Sequence, residues 1–174
     1  AEPFLQPLEN MTYPLGTNHQ GQGLARLVIY STVPMLQMIV AGTLFAGTLA
    51  TALATVAGYL GGLADYSISA ITDVMIALPG LPLFIVIVAF FEPQNAYLSG
   101  IILSVGAWAG LARQTRSEVL KYRESPYVEA SHTMGISNYY IITRDIVPNI
   151  LSYLTIRLAN MAKGIVFGSV ALYY

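Results

Sequence analysis

The residues best placed to do chemistry are two carboxylates. Asp73 lies at the edge of a long apolar run, and Asp145 lies in EASHTMGISNYYIITRDIVPN, residues 129–149, a polar stretch between hydrophobic ones. An ionisable group at membrane depth is expensive and is read as functional by default. Asp73, with Pro79 beyond it, is therefore a candidate for a substrate pathway, against the plainer reading of an Asp that only reaches lipid headgroups. His19 and His132 are lone and too far apart for a ligand cluster. The chain has no cysteine, so disulfides, thiolate metal sites and a cysteine nucleophile are excluded. No nucleophile and base fall at a recognisable spacing, so we assign no catalytic residue, metal site or bound cofactor. Asn10-Met11-Thr12 has the glycosylation-acceptor pattern, which is short enough to arise by chance.

These groups must be positioned by elements that suit a membrane. Hydrophobic residues make up 55% of the chain and charged ones 10%, far from the roughly one-quarter charged of a soluble domain. Net charge is −1, and the eight basic residues form no basic run, which argues against nucleic acid. No formal charge occurs between Arg26 and Asp65, between Asp73 and Glu92, or between Glu92 and Arg113. Each gap suits a helix crossing most or all of roughly 30 Å of hydrocarbon. A fourth apolar run, interrupted by Arg157 and Lys163, begins near Ile150.

The expected architecture is all-α, a polytopic transmembrane bundle with about four spans. Span one covers roughly 31–60, and its Gly42, Ala46, Ala50, Ala54 and Gly58 recur every four residues, a ribbon that lets a neighbouring helix approach closely. Span two, about 67–91, contains Pro79 and Pro82 and should kink or break there. Span three, about 97–112, continues past Arg113, with Trp108 read as a packed residue. Arg113, Arg116, Lys121, Arg123 and Arg144 put five of the eight basic residues into 113–149. The positive-inside rule therefore places that loop in the cytoplasm. Residues 1–30 then form an extracytoplasmic loop and 31–174 the transmembrane domain. With no initiator Met and a hydrophobic end, the chain reads as part of a longer protein.

Within the polar stretch, Ser125-Pro126 has the form of a helix start, the hydroxyl able to cap free backbone N–H groups. Glu129 follows where a negative charge complements the helix dipole. Gly135 suits a stop after Met134, because glycine accepts a left-handed conformation. Ser137 or Asn138 can cap a second helix with Tyr139, Ile142 and Ile146 on one face. Pro148 is expected to end or redirect that helix. Two short helices joined at Gly135 and lying along the membrane surface could be a plain interfacial connector or a docking element for a cytoplasmic partner.

Here the sequence resembles the permease subunits of binding-protein-dependent ABC transporters. Glu129-Ala130-Ser131, Gly135, Ile142 and Pro148-Asn149 look like their EAA loop. Pro14-Leu15-Gly16-Thr17, Ala57-Gly58-Tyr59 with Gly61-Gly62 and Asp65, and Asp73-Val74 with Pro79 point to the dipeptide/oligopeptide branch. The chain departs from the pattern at Ser131, where a second alanine is usual, and at Asp145, where a histidine is usual.

The resemblance implies the type I permease fold of a prokaryotic cell membrane importer. It also implies a homologous permease partner, two cytoplasmic ATPases carrying ATP-Mg, and an extracytoplasmic solute-binding protein. The chain itself has no GxxxxGK[ST] phosphate loop. Glu129, Ala130, Ser131, Met134, Gly135, Ile142, Asp145, Pro148 and Asn149 would then be the residues that couple ATPase closure to the spans. Cargo would be a dipeptide, an oligopeptide, nickel or an oligosaccharide. An intramembrane enzyme using Asp73 or Asp145, and an ATP-independent channel or scaffold, are the competing readings.

Overall fold

The computed structural model describes residues 4–9 and 11–173; Asn10 and Tyr174 lie outside the described residues. Helix α1 runs Leu24–Leu60 with Pro34 inside it. It starts earlier than the span read from hydropathy, so the expected domain boundary at residue 30 falls within this helix. The start is set by the loop before it: Gly21 and Gly16 both have positive φ, and Thr17 and Gly23 form an isolated bridge.

The small-residue ribbon does what its spacing implies. Gly42, Ala46, Ala50, Ala54 and Gly58 are all buried, and the face they form packs on α4 (Ala96–Ser104) and α5 (Ala107–Arg123). A Cβ on Gly42 would collide with the Gly100 carbonyl oxygen, and one on Gly100 would collide with that of Met38. At the other end of the ribbon, a Cβ on Gly58 would sit 2.9 Å from Val119 Cγ1. The backbones of α1 and α4 therefore touch, which only glycine at both positions permits.

Helix α2 (Gly62–Ala77) and α3 (Gly80–Phe91) follow. They turn sharply, with a bend of 92° between Gly62–Ala77 and Pro82–Phe91. Leu78 before Pro79 is extended, with φ −73° and ψ 131°, as expected of a residue ahead of proline. Glu92 to Asn95 form the next turn, and the Asn95 side chain caps α4 by accepting from the Leu98 N–H at 2.9 Å. Span three is not one straight helix: α4 and α5 are bent by 54° at Val105 and Gly106. Helix α5 does continue past Arg113, to Arg123, and Trp108 is buried.

After α6 (Pro126–Thr133) come a three-residue helix, α7 (Asn138–Tyr140), a π-helical segment (Ile141–Ile146) and α8 (Val147–Tyr173). Helix α1 and the run Asn138–Val170 are each long and apolar enough to cross a membrane, and up to four spans result if each bent pair is one span. Val128, Ile141, Ile146 and Ile150 are fully buried in one cluster with Val119 and Trp108. Burial contributes about 1.5–3 kcal/mol for each such aliphatic side chain. The polar stretch is thus fastened to α5 by its own apolar residues.

Candidate functional site

Ser125 takes an extended conformation before Pro126, but its hydroxyl does not cap α6. It donates to the Tyr122 carbonyl at 2.5 Å instead, so the first turn is closed by the Ser125 carbonyl, which accepts from Val128 and Glu129. The other end of α6 follows expectation. Gly135 has φ +74°, its N–H donates to the His132 carbonyl at 3.0 Å, and the Ile136 N–H donates to the Ser131 carbonyl at 3.1 Å. That pair of bonds is the Schellman arrangement, which requires the left-handed residue between them.

Ser137 is the cap of α7, its hydroxyl accepting from the Tyr140 N–H. The second helix does not stop at Pro148. Asn138 to Val170 is one continuous run, because the backbone changes step ahead of the proline. The Val147 N–H reaches the Ile142 carbonyl, five residues back. This wider turn moves away the carbonyl that the Pro148 ring would otherwise strike. The Asn149 side chain then donates to the Asp145 carbonyl at 2.5 Å.

The changed step also changes the buried face. Ile141 and Ile146 are fully buried, five apart as a π-helix requires, whereas Tyr139 is 77% exposed. Ile142 is half-buried and lines an apolar groove with Val147, Leu151, Thr51 and Thr55 between α1 and α8. Asp145 is half-buried, and Pro148 and Asn149 are exposed. In α6, Ser131 turns inward and donates to the Tyr127 carbonyl at 3.0 Å. Glu129, Ala130, Thr133 and Met134 are exposed, Met134 at 70%. The segment therefore has an inner face sealed against α5 and an outer face that mixes the charged Glu129 with Ala130, Thr133 and Met134.

The hydroxyl of Tyr59, near the end of α1, donates to Asn138 Oδ1 at 3.0 Å and lies 3.0 Å from His132 Nε2. A single O–H carries one proton, so while it donates to Asn138 its oxygen accepts from an Nε2–H on His132. The two rings also stack, 6.0 Å apart and 14° from parallel. His132, lone in sequence, thus has a structural role: with Asn138 it pins both helices of the polar stretch to one buried tyrosine of α1.

Asp73 pairs with Arg113, and Asp65 takes the Arg116 guanidinium with both oxygens. These two pairs join α2 to α5 around a cavity of about 260 Å³ that also touches Ala54, Ala57 and Thr72. Pro79 lies outside it, at the bend before α3. Among the described residues, no group of three metal-ligating side chains is present. Exchanging Asp65 for Asn should loosen α2 from α5, seen as faster hydrogen exchange in Gly62–Ala77; unchanged protection would show that the pair contributes nothing.

Residues 50–174 match the family described as binding-protein-dependent transport system inner membrane component. The dipeptide transport system permease protein DppC of Lactococcus lactis subsp. cremoris is 28% identical over 86% of this chain and 43% of its own length. The oligopeptide transport system permease protein OppC of Lactococcus lactis subsp. lactis is 31% identical over 91% of this chain and 53% of its own. A peptidoglycan transport system permease protein, YejE of Agrobacterium fabrum, is 27% identical over 78% and 35%. The chain spans about half the length of the curated relatives it matches.

Proposed function

This chain belongs to the binding-protein-dependent transport system inner membrane component family, and we propose that it forms part of the permease of an ATP-driven importer for peptides or similar small solutes. The type I permease fold and an inner-membrane location accompany that membership. The protein would work with a homologous permease, two cytoplasmic ATPases carrying ATP-Mg and an extracytoplasmic solute-binding protein. Residues 113–149 would lie in the cytoplasm. The outer face of α6, from Glu129 to Gly135, would seat in a groove of one ATPase.

The observation that carries the reading is the attachment of that segment to the bundle. On one side Tyr59 holds His132 and Asn138; on the other the chain runs from Asn138 into α8 without a break. A push on α6 would therefore reach α1 through the His132 contact with Tyr59, and through the turn at Gly135 would reach Asn138, which bonds Tyr59 and begins the continuous run into α8, so that both could move as rigid bodies. The ATPases would bias the two states through contacts made better in one than in the other.

Reconstitution tests this directly. The complete transporter in proteoliposomes should accumulate peptide only with ATP inside the ATPase compartment. Flux persisting without ATP would favour a channel, and turnover of substrate by the permease alone, lost on Asp73→Asn, would favour an enzyme. Tyr59→Phe removes both polar bonds and keeps the ring. It should lower uptake per ATP hydrolysed roughly fivefold, the low end of typical coupling between sites, with assembly retained. An unchanged ratio would exclude Tyr59 from the coupling route.

A further inference from the structure

Helix α8 carries two cations that the loop account leaves unused. Arg157 and Lys163 are exposed on this helix, and among the described residues neither meets a carboxylate: the ion pairs are Arg113–Asp73, Arg116–Asp65 and Lys121–Glu118. Arg157 lies over the Tyr153 ring, 5.0 Å from its centre, and Lys163 Nζ donates to Asn160 Oδ1 at 3.4 Å.

Their depth makes this costly. If hydrocarbon begins near Ile150, its midplane falls about ten residues later, near Asn160. Arg157 and Lys163 then flank the midplane at roughly 4.5 Å on either side. Water or headgroups lie about 15 Å from the midplane, too far for either side chain to reach by extending along the helix. Lipid is a costly neighbour for both.

The pattern around them selects among the remaining neighbours. Tyr153, Arg157, Asn160 and Gly164 fall at i, i+4, i+7 and i+11, so they form one stripe along α8, with Lys163 leaning onto it through Asn160. The stripe is about 16 Å long. A single buried ion pair needs one point of contact; a stripe of this length with a cation on each side of its centre suits a wet path along the helix.

We propose that this face of α8 lines the transit path and that Arg157 and Lys163 form a carboxylate-recognition site for the cargo, accepting the anionic end of a peptide as it passes mid-membrane. The site rests on the permease reading above. Two cations flanking an amide supply charge-assisted donors to a carboxylate, and they leave the other end of the solute free to vary.

The test uses the absence of cysteine in this chain. Arg157→Cys, Asn160→Cys and Lys163→Cys are introduced singly into the complete transporter, and modification of this chain by membrane-impermeant thiol reagents is followed by mass. Asn160→Cys should react with an anionic methanethiosulfonate on the order of tenfold faster than with a cationic one. Saturating peptide with a free C-terminal carboxylate should slow it severalfold, and its C-amidated form should not. Arg157→Gln with Lys163→Gln, added to the Asn160→Cys chain, should abolish the preference for the anionic reagent. Labelling only by lipid-soluble reagents, or none at all, would place lipid or another helix on this face and overturn the proposal. So would equal rates for the two charges, or a carboxylate of a neighbouring subunit crosslinked to position 157 or 163. ATP-driven uptake by the unmodified transporter, measured in the same vesicles, separates failure of this site from failure of the permease reading.

Discussion

Gly135→Pro is expected to reduce ATP-driven uptake to background while the transporter still assembles. Gly135 has φ +74°, and proline is locked near −65°, so the backbone cannot keep its path. The substitution also removes the N–H that donates to the His132 carbonyl, and with it half of the Schellman pair. A Cβ here would meet nothing within 4 Å, but the proline ring also disfavours the helical conformation of Met134 before it; the damage falls on the end of α6 and the direction in which it leaves the bundle. Gly135→Ala isolates the φ term at about 1–2 kcal/mol and should slow uptake without abolishing it. Normal uptake by the proline variant, with the complex intact, would mean that the orientation of α6 does not matter to transport.

The second large effect concerns the scaffold. Gly100→Val should cost about 3 kcal/mol, the upper end of what overpacking does, because its Cβ would strike the Met38 carbonyl and the struck atom is backbone rather than a mobile side chain. Thermal unfolding of the purified transporter in detergent should show a clear fall in midpoint. Gly110→Ala is the control, since a Cβ there meets nothing within 4 Å; alanine is the better helix former and should leave the midpoint unchanged or raise it. Equal midpoints for Gly100→Val and the unsubstituted protein would contradict the backbone contact between α1 and α4.

The two effects differ in how far the sequence announces them. The ribbon in α1 is legible because small residues every fourth position have one common use between membrane helices, and its partner Gly100 lies inside the expected third span. Gly135 is legible because a glycine after a capped helical turn has a specific backbone use. Pro148 misleads: proline breaks an α-helix, but a π-helical step just before it lets the helix continue, and no periodicity in IITRDIVPN signals that step. The same step moves burial from the expected Tyr139, Ile142 and Ile146 face to Ile141 and Ile146. The bend at Val105 and Gly106 is likewise silent in hydropathy, which reads composition and not direction.

Tyr59 marks the limit of local reasoning. It lies 73 residues from His132 and 79 from Asn138, and a tyrosine near the end of a span reads equally well as an interface anchor. Only the fold brings the three groups together, and they explain why a polar segment between spans can be rigid. Family membership supports the surrounding function, and under the proposed coupling the Tyr59 contacts would be what gives residues 126–149 a mechanical role.

Met134→Cys tests the central claim most directly. Met134 is 70% exposed on the outer face of α6, and the chain offers no other thiol. In the complete transporter, a short bifunctional reagent at this position should crosslink to an ATPase subunit, with a yield that changes when ATP closes the ATPase pair. Crosslinking to lipid or to the partner permease alone, with the ATPases present and bound, would contradict the assignment of this segment as the ATPase contact.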